Sequence, residues 1–260
     1  MPWAGCRSRA YREAAEPSDL GSLARHADVG CEALTLVGDR LGEGFGAWLQ
    51  GIALHLAGDP AAALERYEHA THVLSGLGST MLADRARTWI ALAYIHTDAR
   101  DRASELCAKL LENADLALSG LLGGIDPARR LAAGDATGAL ESVRAALPSA
   151  LERPGTKAVL HTVAAAACLA LGDARAALAE VAAARAKRDP LILMSFFEAM
   201  LARVECEASL ALEDSGHDAA LARAVEHVER LAATLDPAAR ARFLALPDHA
   251  RILELAVKRG

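Results

Sequence analysis

The side chains best suited to bind a metal ion lie close together in one predicted helix. His69 and His72 stand three residues apart, and Glu65 and Glu68 precede them. Imidazole and carboxylate groups at this spacing share a helix face and are common zinc ligands. A closed zinc site needs four ligands, however, and the sequence identifies none on a second helix. We therefore favour a solvated outer helix face, and we predict neither a metal nor a cofactor.

The cysteines show no pattern of a metal site or a disulfide. The charges of Glu205 and Glu207 are expected to raise the thiol pKa of Cys206, which argues against a nucleophile. An odd number of widely separated cysteines is typical of reduced thiols that behave as small apolar residues, and a redox-sensing thiol is the alternative. The five positions are Cys6, Cys31, Cys107, Cys168 and Cys206.

No recognisable catalytic constellation accompanies these groups. Arg129, Arg130 and Arg144 are candidates for an anion-binding patch. Lys187 and Arg188 form a basic helix end. Positive charges interact favourably with the C-terminal end of a helix, so this position needs no ligand to explain it. The sequence contains no GxSxG turn, no phosphate-binding glycine loop followed by Lys, and no kinase catalytic-loop phrase. It therefore predicts that the chain is not an enzyme.

Composition and charge restrict the kinds of molecule that the chain can bind. The chain has 260 residues and a formal net charge of −6, which opposes binding to nucleic acid. Its longest apolar stretch, Val163–Leu171, is about half of a membrane span, so we expect no membrane insertion. The first nine residues lack the apolar core of a secretory signal, and we expect a cytoplasmic location.

A turn-and-helix phrase recurs at a nearly constant spacing. It occurs as Gly58–Leu64, Gly134–Leu140 and Gly172–Leu178, with a weaker copy at Asp98–Ala103. Consecutive copies begin 40, 36 and 38 residues apart. A period of this length marks stacked helical hairpins, and no segment alternates as a strand does. The sequence predicts an all-α fold, an α-α superhelix of antiparallel hairpins.

Each copy of the phrase has a physical interpretation. Its glycine ends one helix in the left-handed conformation, and the following Asp caps the first free N–H groups of the next helix. Ala63, Ala139 and Ala177 then place a small side chain where the paired helices cross.

We expect a chain break at Gly123-Gly124 and a short helix over Pro127–Ala133. The predicted organisation is a weakly ordered segment 1–19, a repeat array 20–235 and capping helices 236–260.

The repeat pattern resembles the tetratricopeptide repeat. Over roughly Gly38–Arg259 it is also similar to the C-terminal helical regions of large bacterial signalling proteins that contain kinase or ATPase modules, and the segment Leu235–Ala256 is most similar to their ends. The resemblance implies a sensor or scaffold region without its catalytic partner. The residues that match small or aromatic positions of the repeat are Gly51, Ala63, Tyr67, Ala70, Ala91, Tyr94, Ala103, Ala165, Ala177 and Ala184.

The same resemblance implies that the first helix of each hairpin lines an inner groove. A protein or peptide partner would bind there through apolar anchors, although Trp48 could instead pack between repeats. The alternative function is a sensor that holds a small effector inside the superhelix. The residues predicted to line the groove are Phe45, Trp48, Ile52, His55, Arg87, Thr88, Ile95 and Thr162.

Overall fold

The computed structural model describes residues 19–112, 121–148, 150, 154–186 and 192–258. Over these ranges the chain forms thirteen helices and no strand, which confirms the predicted all-α fold. The predicted weak order of segment 1–19 concerns residues that, apart from Asp19, lie outside the described ranges. In chain order the helices are α1 (Leu20–Leu36), α2 (Arg40–Leu56), α3 (Pro60–Gly76), α4 (Thr80–His96), α5 (Arg100–Leu111), α6 (Leu121–Ala132), α7 (Ala136–Ala146), α8 (Pro154–Ala170), α9 (Ala174–Ala186), α10 (Ile192–Ala211), α11 (His217–Ala232), α12 (Pro237–Leu244) and α13 (Pro247–Val257).

The Gly-Asp turn between α2 and α3 closes one helix and opens the next. Gly58 has a φ of +85°, and its N–H donates to the His55 carbonyl at 3.1 Å. The N–H of Asp59 donates to the Leu54 carbonyl at 2.9 Å. These are the two hydrogen bonds typical of a helix that ends at a residue in the left-handed conformation. The Asp59 carboxylate then accepts from the N–H of Ala62 at 3.0 Å. Two adjacent residues thus satisfy backbone groups of both helices.

The other copies of the turn have the same form. Gly134 and Gly172 each have a φ of +83°, and each following Asp caps the next helix. Asp98 takes the left-handed position in the weaker copy, with a φ of +58°. Gly38 and Gly78 form two further turns of this kind. The apolar pattern of the sequence predicts one helix over about Leu20–Leu41, but Gly38 separates α1, which ends at Leu36, from α2.

The predicted break at Gly123-Gly124 is wrong. Both glycines lie inside α6, which also contains Pro127. Ile125 and Ala128 are buried on one face of this helix, and that tertiary packing outweighs the low helix propensity of glycine.

Small residues let the paired helices approach each other closely. Ala63, Ala139 and Ala177 have no exposed surface, as the repeat pattern predicts. A Cβ atom added to Gly51 would lie 2.5 Å from Cε1 of Tyr67, which is far below a normal contact distance. The Tyr67 ring therefore fills the space that this glycine leaves open.

The hairpins stack into one continuous core. Consecutive helices pack against each other, and α6 also contacts α4 and α8, while α8 contacts α10. A single cluster of buried apolar residues runs from Leu20 in α1 to Leu255 in α13. The predicted helical-hairpin solenoid is therefore confirmed.

The array curves until its last helices contact its first. The backbone N–H of Leu20 donates to Oγ1 of Thr234, immediately after α11, at 3.1 Å. Arg242 in α12 pairs with Asp59 at 3.4 Å. A Cβ atom on Gly58 would lie 2.9 Å from the carbonyl carbon of Arg242. These contacts thus close the solenoid, a feature that the repeat pattern alone did not predict.

Substitution of Gly58 by Ala should report on this closure. Gly134→Ala is the matched control, since its φ is nearly the same and no atom lies within 4 Å of an added Cβ. We expect Gly134→Ala to lower the free energy of unfolding by about 1 kcal/mol through backbone strain alone. Gly58→Ala should lower it by about 2–4 kcal/mol, because overpacking against α12 is added to the strain. Urea denaturation followed by circular dichroism measures both, and equal losses would contradict the closed arrangement.

Candidate functional site

Aromatic and histidine rings fill the junction where α10 meets the first hairpins. Phe196 of α10 lies 4.7 Å from the ring of His55 and 5.2 Å from that of Trp89, centre to centre. Trp48 and Trp89 meet edge to face at 5.9 Å, an arrangement that aromatic pairs favour. These rings join α2, α4 and α10. We call the inner cluster the residues Trp48, His55, Tyr67, Trp89, His96 and Phe196.

Two histidines form a hydrogen bond inside this cluster. Nε2 of His55 and Nδ1 of His96 are 2.7 Å apart, and the Tyr67 hydroxyl is 3.4 Å from Nδ1 of His55. Burial lowers the pKa of His55 well below its usual value, and the neighbouring His96 lowers it further. His96 keeps an exposed edge, yet the protein around it lowers its pKa too, while Asp248 has the opposite effect. Both rings are therefore neutral at pH 7.

Half of the predicted groove residues are inaccessible. Ile52, His55, Thr88 and Thr162 are buried, so a partner cannot reach them in this structure. The hydroxyl of Thr162 donates to the Ala158 carbonyl at 2.8 Å and is already satisfied.

The remaining groove residues are half-buried and do not form one surface. Phe45 and Trp48 pack against each other at 6.2 Å on α2. Ile95 packs against the core. Arg87 bonds to Asp84 and lines a different groove. Contact of these four with a partner stays a prediction.

That different groove lies between α3 and α5 and has a volume of about 560 Å³. Its floor is apolar, with Ile90 and Tyr94 from α4 and Leu106 from α5. Its walls are polar and charged. We call it the outer groove, and its other lining residues are Glu68, Thr71, His72, Ser75, Arg87, Arg102, Glu105 and Lys109.

One polar side chain in the outer groove faces an aromatic ring, and another has no hydrogen-bond partner among the described residues. The guanidinium of Arg102 lies 5.9 Å from the centre of the Tyr94 ring, close enough for a cation–π interaction. Oγ1 of Thr71 is buried, and no described residue hydrogen-bonds to it. Sequence reasoning missed this site. A signal was present in the spacing of Arg102, Leu106 and Lys109, which puts them on one helix face beside Tyr94.

The candidate metal ligands do not converge. His69 is 3.2 Å from a carboxylate oxygen of Glu43 on α2, while His72 lines the outer groove. Within the part of the chain that the structure describes, no three His, Cys, Asp or Glu side chains are placed to hold a metal ion.

Two arginines of the candidate anion patch, Arg129 and Arg130, share the carboxylate of Asp126. Arg129 and Arg130 lie 2.8 and 3.3 Å from its carboxylate oxygens, and the Ser142 hydroxyl donates to it at 2.9 Å. Burial alone would raise the pKa of Asp126, but the hydrogen bonds from Arg129 and Ser142 outweigh it and lower that pKa. Asp126 therefore anchors α6 to α7.

The cysteine thiols are weakly acidic. Burial raises the pKa of Cys107 and of Cys206 to about 11. Glu205 raises the pKa of Cys206 further, in the direction that the sequence predicts. At neutral pH both thiols are protonated, and a protonated thiol is a poor nucleophile.

In sequence comparisons the chain matches no protein-family model and no curated protein. Of the helices in the described ranges, none is both long and apolar enough to cross a membrane.

The inner cluster should make stability depend on pH. The rings of His55 and His96 stay neutral in the folded protein, whereas in the unfolded chain they take up protons near the usual pKa of 6.5. The unfolded state then binds more protons, so stability is fully present above about pH 6.5 and falls as the pH drops toward 4. We expect the melting temperature to fall by about 2–4 °C for each kcal/mol lost.

His96→Gln tests the assignment, because glutamine can keep a hydrogen bond to His55 but does not titrate. Its melting temperature should fall less between pH 6.5 and 4 than that of the wild type. Some dependence should remain, since burial also lowers the pKa of His249, whose Nδ1 bonds to the Phe243 carbonyl. His72→Gln, on the exposed face of α3, is the control. Identical profiles for His96→Gln and the wild type would refute the role of the pair.

Proposed function

We propose that this chain is a protein-interaction module that binds its partner in the outer groove. It would serve as a scaffold in a bacterial signalling system. The observation that carries the proposal is the outer groove, an accessible cleft with an apolar floor and charged walls. The resemblance to tetratricopeptide repeats supports the same class of function, since such arrays present surfaces to other proteins.

The dimensions and chemistry of the outer groove suit a peptide segment. A volume of about 560 Å³ accommodates a few side chains. Tyr94 and Leu106 offer a surface for an apolar anchor, and buried anchors of this kind carry most of the binding energy at interfaces. Arg102 and Lys109 are exposed on the α5 wall, with Glu105 between them, so two positive charges against one negative charge would attract acidic side chains beside that anchor. The favoured occupant is therefore a peptide with an apolar residue and neighbouring acidic residues.

A second candidate function is the binding of a small effector at the inner cluster. The indole N–H groups of Trp48 and Trp89 are buried, and no described residue accepts a hydrogen bond from either. Buried donors of this kind usually have a partner, and an effector with an acceptor oxygen would supply one.

A thermal-shift screen of metabolites tests the effector. A ligand that binds only the folded state raises the melting temperature. Trp89→Phe keeps a ring but deletes the donor, so it should reduce that shift. Without any stabilising metabolite, or with an equal shift in Trp89→Phe, the effector function fails.

Peptide selection tests the interaction module directly. Peptides selected from a displayed random library on the immobilised protein should be rich in acidic residues next to an apolar residue. The double variant Arg102→Glu and Lys109→Glu should weaken their binding at least tenfold, which is about 1.4 kcal/mol or more. Fluorescence anisotropy with labelled peptides measures the affinities.

The matched control reverses two charges away from the groove. Arg240 and Lys258 are exposed and lie outside the outer groove, so Arg240→Glu with Lys258→Glu gives the same change in net charge. This control should bind the peptides like the wild type. Equal weakening in both double variants would indicate a general charge effect and contradict the assignment of the groove.

A further inference from the structure

A second groove runs along one face of α11. It has a volume of about 770 Å³, and Ala256 of α13 contributes to one wall. Leu221 is buried and Val225 is half-buried, so the floor is apolar. We call it the α11 groove, and its remaining described lining residues are Asp218, Ala222, Glu226, Glu229 and Arg230.

The α11 groove has a shape that suits a further helix. α11 packs against α10, α12 and α13. Apart from Ala256, the described lining residues all belong to α11 itself, so the groove lies on a side of α11 that these three helices leave accessible. The lining positions from Asp218 to Glu229 recur at intervals of three and four residues, which places them on one helix face. A helix laid along α11 would therefore contact this face over its length.

The α11 groove carries an acidic rim. Asp218, Glu226 and Glu229 contribute three carboxylates against one guanidinium from Arg230. Other basic groups nearby are engaged elsewhere. Arg223 of α11 pairs with Glu205 at 3.3 Å, and Lys258 of α13 pairs with Glu254. The rim therefore has a net negative charge and favours a basic occupant.

The order of these groups along α11 defines where the occupant needs its charges. Asp218 and Glu229 lie eleven residues apart, which is about 16 Å along a helix at 1.5 Å per residue. The apolar side chains of Leu221 and Val225 lie between them. A matching segment has an apolar or aromatic anchor at its centre and Lys or Arg side chains on both flanks.

We propose that the α11 groove binds a basic amphipathic helix of another protein. Its apolar side covers Leu221 and Val225, and its basic side chains pair with Glu226 and Glu229. The outer groove belongs to α3, α4 and α5, and the occupant proposed for it is acidic. The two grooves thus select partners of opposite charge, and one chain can hold both at once. Only this last consequence depends on the outer groove.

Peptide selection on an open and a filled α11 groove tests the proposal. Ala222 and Ala219 are both exposed on α11, but only Ala222 lines the groove. Ala222→Trp fills the groove with an indole ring, whereas Ala219→Trp adds the same ring beside it. A displayed random library of peptides with the length of α11, sixteen residues, is selected on the wild type and then depleted on Ala222→Trp. Depletion also removes peptides that bind the outer groove, which that variant keeps.

The remaining peptides should carry basic residues on both sides of an apolar anchor. Fluorescence anisotropy with labelled peptides should show binding to Ala222→Trp weakened about tenfold or more, with Ala219→Trp like the wild type. A proline at the centre of the peptide should weaken binding to a similar extent, because proline interrupts a helix.

Charge reversal provides the second test. Glu226→Lys with Glu229→Lys should weaken binding about tenfold or more. Glu65 and Glu141 are exposed on α3 and α7, so their reversal to Lys gives the same change in net charge and should leave the affinity unchanged. Circular dichroism confirms folding, and the Glu226 and Glu229 variant replaces Ala222→Trp in the depletion step if Ala222→Trp unfolds.

Four results would overturn the proposal. Selected peptides without an excess of basic residues would show that the rim does not select the partner. Equal weakening by both pairs of charge reversals would indicate attraction to the chain as a whole. An unchanged affinity for the proline-containing peptide would exclude a helical occupant. A wild type that dimerises in analytical ultracentrifugation, with a monomeric Glu226→Lys and Glu229→Lys variant, would assign the groove to a second copy of the chain.

Discussion

The packing of Phe196 against His55 and Trp89 is the contact on which the rest of the arrangement depends. It joins a helix near the end of the chain to two helices near its beginning. With it, Ile52 and His55 become part of the core, and partners must approach from other faces. The same contact covers one side of His55, the buried member of the histidine pair.

The features that sequence reasoning captured are local. At Gly58 and Asp59 every hydrogen bond of the turn connects residues no more than five positions apart, so the pattern can be recognised in a single sequence. The small residues Ala139 and Ala177 repeat with the turn, and their burial follows from the hairpin itself. The helical period and the order of the hairpins could therefore be predicted.

The features that sequence reasoning missed depend on contacts between residues that are far apart in the sequence. Phe196 and Trp89 are more than a hundred residues apart, and no repeat pattern indicates that they meet. The first-helix register also could not show that Ile52, His55, Thr88 and Thr162 are buried. The outer groove is lined by residues of α3, α4 and α5, which only tertiary packing brings together. Likewise, Gly123 and Gly124 are helical because their neighbour Ile125 is buried by other hairpins.

Closure also changes how the hairpins share their stability. In a linear solenoid each terminal unit has one neighbour, so it opens before the rest of the array. Here the bond from Leu20 to Thr234 and the pair of Arg242 with Asp59 give the first and last hairpins a second neighbour each. Fraying from either end must then also break one of these contacts, which a terminal unit of a linear array does not have. We therefore expect the end hairpins to open less readily than those of a linear array built from the same repeats.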